Sequence, residues 1–300
     1  MINEVIRDKM KFSYECIGCH IQQILKVAKL VQMDETTKEV VVRKTLKNLS
    51  EMDYDKTNPE MMSLTWRTIL SHIDNKDPYQ HIKREYNQMM LSIYNELLCD
   101  ILSGKDAFDM ALHLAIEGNV IDYGANHHFV KEDLLEKILC AEKNLLAVDE
   151  SNALYNALER AEKLLYVGDN CGEIVFDKLF IEVIKNKFPA LQITFGVRGG
   201  AILNDITYED VDQVGLNELV EIIDAGNDYP GLVIEMASEK FRHVYDEANV
   251  IIAKGQGNYE GLSQEKGKEI FFLLMAKCDM IAGDLGVRTM DKICKRAKSY

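Results

Sequence analysis

The stretch LLYVGDNCGEIVFDKLFIEVIKNK, Leu164–Lys187, decides the fold class of this chain. Its first four residues form an apolar run of strand length. Gly168-Asp169-Asn170-Cys171-Gly172 then makes a tight turn, and Ile174, Phe176, Leu179, Phe180, Val183 and Ile184 recur as one broad apolar face of a helix. Strand, turn and crossover helix are the opening of a βαβ unit. Similar apolar runs follow at Leu191–Val197, Leu219–Ile223, Val250–Ala253 and Ile270–Met275, separated by helix-length amphipathic stretches. That alternation predicts a largely parallel sheet with helices on both faces.

Upstream the period is helical. Ile21, Ile24, Leu25, Ala28 and Val31 recur at steps of three and four, as do Ile82, Tyr86, Met89, Ile93 and Leu97. Pro59 and Pro78 suit the first turn of a helix, with Asn58 and Asp77 before them as cap candidates. The expected organisation is a helical domain over residues 1–160, which contributes a pocket wall, and a Rossmann-like three-layer α/β/α domain over 161–300, which binds metal and phosphate. No Gly/Ser linker separates them, so the two halves are expected to pack together.

Composition narrows the function. In 300 residues, 47% hydrophobic, there is enough apolar material for a proper core. With 49 acidic against 35 basic side chains the net charge is −14, and a phosphate backbone would be bound against that field. Nucleic acid is excluded as an expected partner. No apolar run approaches the roughly 18 residues of a membrane span, and the opening MINEVIRDKMKFSYE lacks a signal-peptide core, so a cytoplasmic protein without membrane partners is expected. Seven scattered cysteines predict reduced thiols.

In an open parallel sheet, ligands bind beyond the carboxyl ends of the strands. Three such places are unusual here. The Leu164–Val167 run leads into Gly168-Asp169-Asn170-Cys171-Gly172-Glu173, where a helix N-terminus offers N–H groups to an anion. The Leu191–Val197 run leads into Arg198-Gly199-Gly200-Ala201-Ile202-Leu203-Asn204-Asp205. Oxygen ligands from these two ends suit Mg²⁺ or Mn²⁺. After Val250–Ala253 stands Lys254-Gly255-Gln256-Gly257-Asn258, where glycines allow close backbone approach and a lysine offers a point charge to a phosphoryl group. Each piece alone also fits a helix cap, a turn or a solvated strand end; their coincidence at one sheet edge points to a site.

Other signals leave alternatives open. Gly118-Asn119-Val120-Ile121-Asp122 reads equally as a helix end or as pocket residues Asn119 and Asp122 reaching across the domain boundary, and the nearby His127 and His128 suit a solvated loop. Cys16-Ile17-Gly18-Cys19-His20 matches a haem-attachment string, but without an export signal haem is not expected. Small packing residues, a second metal or redox chemistry remain for Cys16 and Cys19.

Taken together, CIGC at Cys16–Cys19, GNVID at Gly118–Asp122, GDNCGEIVFD at Gly168–Asp177, VRGGAILNDIT at Val197–Thr207, glycines between Val214 and Gly226, KGQGNYE at Lys254–Glu260 and FFLLMAKC at Phe271–Cys278 resemble the metal-dependent damage-control phosphatases, also called domain of unknown function 89. The CxxC resembles the prokaryote-type subfamily. The resemblance spans nearly the whole chain and implies a helical domain joined to an α/β/α domain. It further implies that Asp169, Asn170 and Asp205 hold a divalent metal (Mg, Mn, Co or Ni), that Asp169 and Lys254 are catalytic with Lys254 meeting the substrate phosphate, and that Asn119, Asp122, Glu173 and Asn204 line the pocket. Cys171 stands where the motif more often has alanine, which suggests oxidation sensitivity, and Ala201 where proline is common. The expected activity is hydrolysis of small phosphorylated metabolites. An S-adenosylmethionine-dependent methyltransferase and a non-catalytic metal or metabolite sensor are the alternatives.

Overall fold

The computed structural model describes residues 10–104, 106–118 and 146–297. Asn119, Asp122, His127, His128 and Cys140 lie outside the described residues. The chain opens with α1 (Cys16–Leu30), α2 (Glu35–Glu51), α3 (Asn58–Leu70), α4 (Gln80–Ser103) and α5 (Ala107–Glu117). Then follow β1 (Val148–Asp149), α6 (Ser151–Arg160), β2 (Lys163–Val167), α7 (Glu173–Lys187), β3 (Gln192–Val197), α8 (Tyr208–Val214) and β4 (Glu221–Asp224). The chain continues through α9 (Glu239–Glu247), β5 (Val250–Lys254), α10 (Gly255–Leu262), β6 (Ile270–Met275), α11 (Asp279–Leu285) and β7 (Lys292–Arg296).

The seven strands form one sheet in the order β1-β7-β6-β5-β2-β3-β4. β6, β5, β2, β3 and β4 run parallel, and β7 lies antiparallel on β6. All of β5 and β6 is buried, as expected of central strands covered on both faces. Along β2 the side chains alternate between two cores: Leu164 and Tyr166 pack with α4, α5 and α7, while Leu165 and Val167 pack with Phe241 and Tyr245 of α9, Tyr259 of α10 and Ile281 of α11. The three-layer α/β/α reading and all five expected strands are present, with β4 beginning two residues later than its apolar run. Sequence periodicity missed β1 and β7. The first has two residues, and the second, KICKR, carries cations at both ends and no apolar run.

In the first half, α4 and α5 share the core of α7, whereas α1, α2 and α3 enclose a smaller cluster around Ile24, Val41, Trp66 and Ile69 that packs on Ile202. Local details differ from expectation. Pro59 does sit in the first turn of α3, but Thr57 caps it, with Glu60 returning the bond as a capping box. Pro78 lies outside α4, and Asp77 accepts from Tyr79 N in a turn. On α1, Val27 is buried and Leu25 exposed, because the face is set by packing on α2 and α3. Among the described residues no helix is long and apolar enough to cross a membrane, and none of the cysteines is in a disulfide.

Candidate active site

β2 leads to β3 and β4 on one side, and the chain then returns to place β5 and β6 on the other side of β2. The carboxyl ends of β2 and β5 therefore flank the point where strand order reverses, the usual ligand crevice of such sheets. Asp169 follows β2 and Gly255 follows β5. A Cβ at Gly255, where φ is +74°, would lie 1.9 Å from Asp169 Oδ2, so the glycine makes room for the carboxylate.

The loop after β3 is stitched to the loop after β2 by backbone. Cys171 N donates to Asn204 O at 3.0 Å, Ile206 N donates to Asp169 O at 3.0 Å, and Asn170 and Asp205 form an antiparallel bridge between them. Three candidate ligands from two loops distant in sequence are thus joined by two main-chain bonds. Asp169 and Asp205 are both buried. Burial, then Glu173 and Asp205, push the Asp169 carboxyl up to about 8; burial also raises Asp205, against the pull of Arg198. Arg198 Nε donates to Asp205 Oδ2 at 2.7 Å, and the Asn170 amide donates to Asp169 Oδ2.

A divalent cation suits this place. Two buried carboxylates, both raised by burial and Asp169 further raised by Asp205, beside an amide and against a glycine cradle, are a hard-oxygen donor set whose repulsion a dication relieves. Among the described residues no group of three or more His, Cys, Asp or Glu side chains is arranged to hold a metal ion. A metal here would rest on two carboxylates and the Asn170 amide, keeping other positions open.

Lys254 stands behind this set. It is fully buried, and Nζ donates to Glu173 Oε1, to Asp177 Oδ1 at 2.6 Å and to Ala115 O at 2.7 Å, so its three N–H bonds have partners within the protein. Tyr166 OH also donates to Asp177, at 2.6 Å. Glu173, expected to line the pocket, is buried against Lys254. Burial leads the causes that raise Asp177 to about 6, with Lys254 opposing.

Three amides at the α7 N-terminus have partners. Gly172 N donates to Asn87 Oδ1 at 2.6 Å, Ile174 N to Asn170 O and Val175 N to Gly172 O. The first turn of α10 has no side-chain cap, and its Gly257 is pressed so closely on the Pro230 carbonyl that a Cβ would lie 2.0 Å from it. Lys277, just after β6, lies in the quoted FFLLMAKC stretch, but sequence reasoning gave it no role. It is half-buried, and its charge lowers both Asp169 and Asp205.

The helical half holds these loops in place. Trp66 Nε1 donates to Ala201 O at 2.8 Å, and Lys83 pairs with Asp210 at 2.8 Å and Asp77 at 3.3 Å while donating to Asp205 O at 3.4 Å. Asn87 Nδ2 donates to Asp210 Oδ1 at 3.1 Å.

Cys16 is buried, and burial, then Glu260, raise its thiol to about 12. Cys19 is exposed and raised in the same direction, by burial first and then by Cys278. His20 is fully buried; Nδ1 is 2.7 Å from Thr65 Oγ1 and Nε2 3.3 Å from Asn58 Oδ1, which leaves no ring nitrogen for haem or metal. Cys171 is buried, and its thiol is pushed well up by burial and Asp210, so the thiolate that oxidation requires is disfavoured.

A model of the damage-control phosphatase ARMT1-like domain matches residues 12–293. Over 292 residues the chain is 34% identical to the damage-control phosphatase PH1575 of Pyrococcus horikoshii, covering 96% of this chain and 99% of that one. A damage-control phosphatase of Archaeoglobus fulgidus is 31% identical over 290 residues, covering 95% of this chain and 99% of that one. The crystal structure of PH1575, described as a DUF89 family protein, superposes with a TM-score of 0.89 at 32% identity, covering 96% of this chain and all of that one.

Proposed function

The chain belongs to the ARMT1-like damage-control phosphatase family, and from that premise we propose that it hydrolyses phosphomonoesters of small metabolites at the β2–β5 crevice, with a divalent metal held by Asp169, Asn170 and Asp205. The observation that carries this reading is the bridge joining Asn170 to Asp205 beside the glycine cradle for Asp169. Relatives named as phosphatases along almost their full lengths favour it over the methyltransferase and sensor alternatives.

A bound dication would supply Lewis-acid polarisation of a phosphoryl oxygen and offset charge developing during transfer. The chain does the rest by positioning and fixed electrostatics. The first turn of α10, which has no side-chain cap, presents backbone N–H groups to phosphoryl oxygens. Lys277 serves as the cation that meets the phosphate, since its charge reaches both carboxylates from a half-buried position. Lys254 acts from behind: it holds Glu173 and Asp177, and through Ala115 O it fixes the end of α5 that leads to Asn119 and Asp122. Those two residues are proposed pocket walls, as is Asn204, whose carbonyl already holds Cys171 N.

The test is release of inorganic phosphate from a chromogenic ester and a panel of sugar phosphates by metal-stripped protein with Mg²⁺, Mn²⁺, Co²⁺ or Ni²⁺ added back. Turnover should require a metal, and Asp205→Ala should abolish metal binding and turnover together while the protein stays folded. Metal-dependent turnover by that variant would refute the assignment.

A further inference from the structure

Arg198 lies beyond the carboxyl end of β3, buried in a place where an isolated guanidinium would be costly. Its planar fork touches the ends of three strands. Nε donates to Asp205 Oδ2 at 2.7 Å, and Nη2, on the same edge of the plane, stands 3.7 Å from Asp169 Oδ1. Nη1 donates to Asn258 Oδ1 at 3.2 Å. Asn258 in turn ties the ends of β2 and β5 together, donating to Gly168 O at 3.1 Å and Lys254 O at 2.6 Å, and its Oδ1 also accepts from Leu232 N at 2.8 Å.

A salt bridge built only for stability would use every donor. Nη2 of Arg198 is buried without a hydrogen-bond partner, which is costly for a charged group. That donor stands beside Asp169, where an oxygen atom of a ligand would complete it.

We propose that Arg198 is a positioning residue of this site, holding Asp205 at a set angle to Asp169 and keeping its Nη2–H for an oxygen brought by the ligand. The proposal rests on the phosphatase reading above. A rigid fork can define that angle because its donors lie in one plane; a lysine at the same place would keep the charge and lose the geometry. Groups that orient metal ligands in this way change metal affinity by about 10–100-fold when replaced.

The experiment is a Mn²⁺ titration, by calorimetry and by the electron paramagnetic resonance signal of free Mn²⁺, on wild-type protein, Arg198→Lys and Asp205→Asn. The expected result is an Arg198→Lys protein with the circular dichroism of wild type and a Mn²⁺ Kd raised by about 10–100-fold. Wild-type affinity in Arg198→Lys overturns the proposal, because charge alone would then suffice. If Arg198→Lys does not fold, Asn258→Ser decides the matter: it frees Nη1 without altering charge, a raised Kd supports the proposal and an unchanged one overturns it. Should wild type bind no Mn²⁺, or Asp205→Asn bind it equally well, the phosphatase-site reading itself fails, which is a distinguishable outcome.

Discussion

Gly255 and Asp169 occupy each other's space: a Cβ on the first would stand 1.9 Å from Oδ2 of the second. The carboxylate just beyond β2 can be where it is only because the residue just beyond β5 has no side chain. Both belong to the crevice where the order of the strands reverses.

Gly255→Ala should therefore damage the site more than the fold. The new methyl group meets a carboxylate and a φ of +74°, so Asp169 must turn away. Phosphate release should fall by about 100-fold or more, with a stability loss of about 1–3 kcal/mol. Steady-state kinetics with chemical denaturation of the same preparation checks both.

Lys254 and Lys277 should separate cleanly. Lys254→Met leaves Glu173 and Asp177 buried without their cation, and a loss of about 3–5 kcal/mol is expected in urea melts. Lys277→Met should change stability by less than about 1 kcal/mol and raise KM for a phosphate ester about tenfold or more. An unchanged KM would remove Lys277 from the phosphate-binding role.

Asn87→Ala takes away the acceptor for Gly172 N and a donor to Asp210, in a buried place. Leaving those groups unpaired should cost about 1–3 kcal/mol. The measurement is the urea midpoint against wild type at constant m-value.

His20 makes stability depend on pH. Burial pushes its pKa down from 6.5 to about 4, so the folded protein holds it neutral where the unfolded chain would already be protonated. Its contribution is complete above pH 6.5 and is lost as pH falls from there to about 4, a difference of about 3 kcal/mol. Subtracting the pH–stability curve of His20→Gln from that of wild type should leave a slope confined to this window. A flat difference would show that the imidazole is protonated alike in both states.

Much of this was legible without coordinates. β2, β3, β5 and β6 announce themselves because strands buried on both faces are continuous apolar runs, and α7 because its apolar residues recur at helical spacing. β7 escaped notice because an edge-side strand with cations at both ends and only two apolar residues between them has no such signature, and Thr57 was passed over as a cap because Asn58 stands nearer the proline. Lys277 was passed over because, unlike Lys254, it is followed by no glycines that mark a close backbone approach, although Arg198 and Asp205 stood within one quoted loop.

By itself the sequence determined which chemistry was available and at which strand ends: carboxylates after β2 and β3, a lysine and glycines after β5. Those are local properties, written in periodicity and turn residues. Which lysine is sealed among carboxylates and which stands half-buried, only the tertiary structure decided. Lys254 at the end of β5 meets Glu173 and Asp177 of α7, Asn87 reaches Gly172 from α4, and such encounters depend on how distant elements pack.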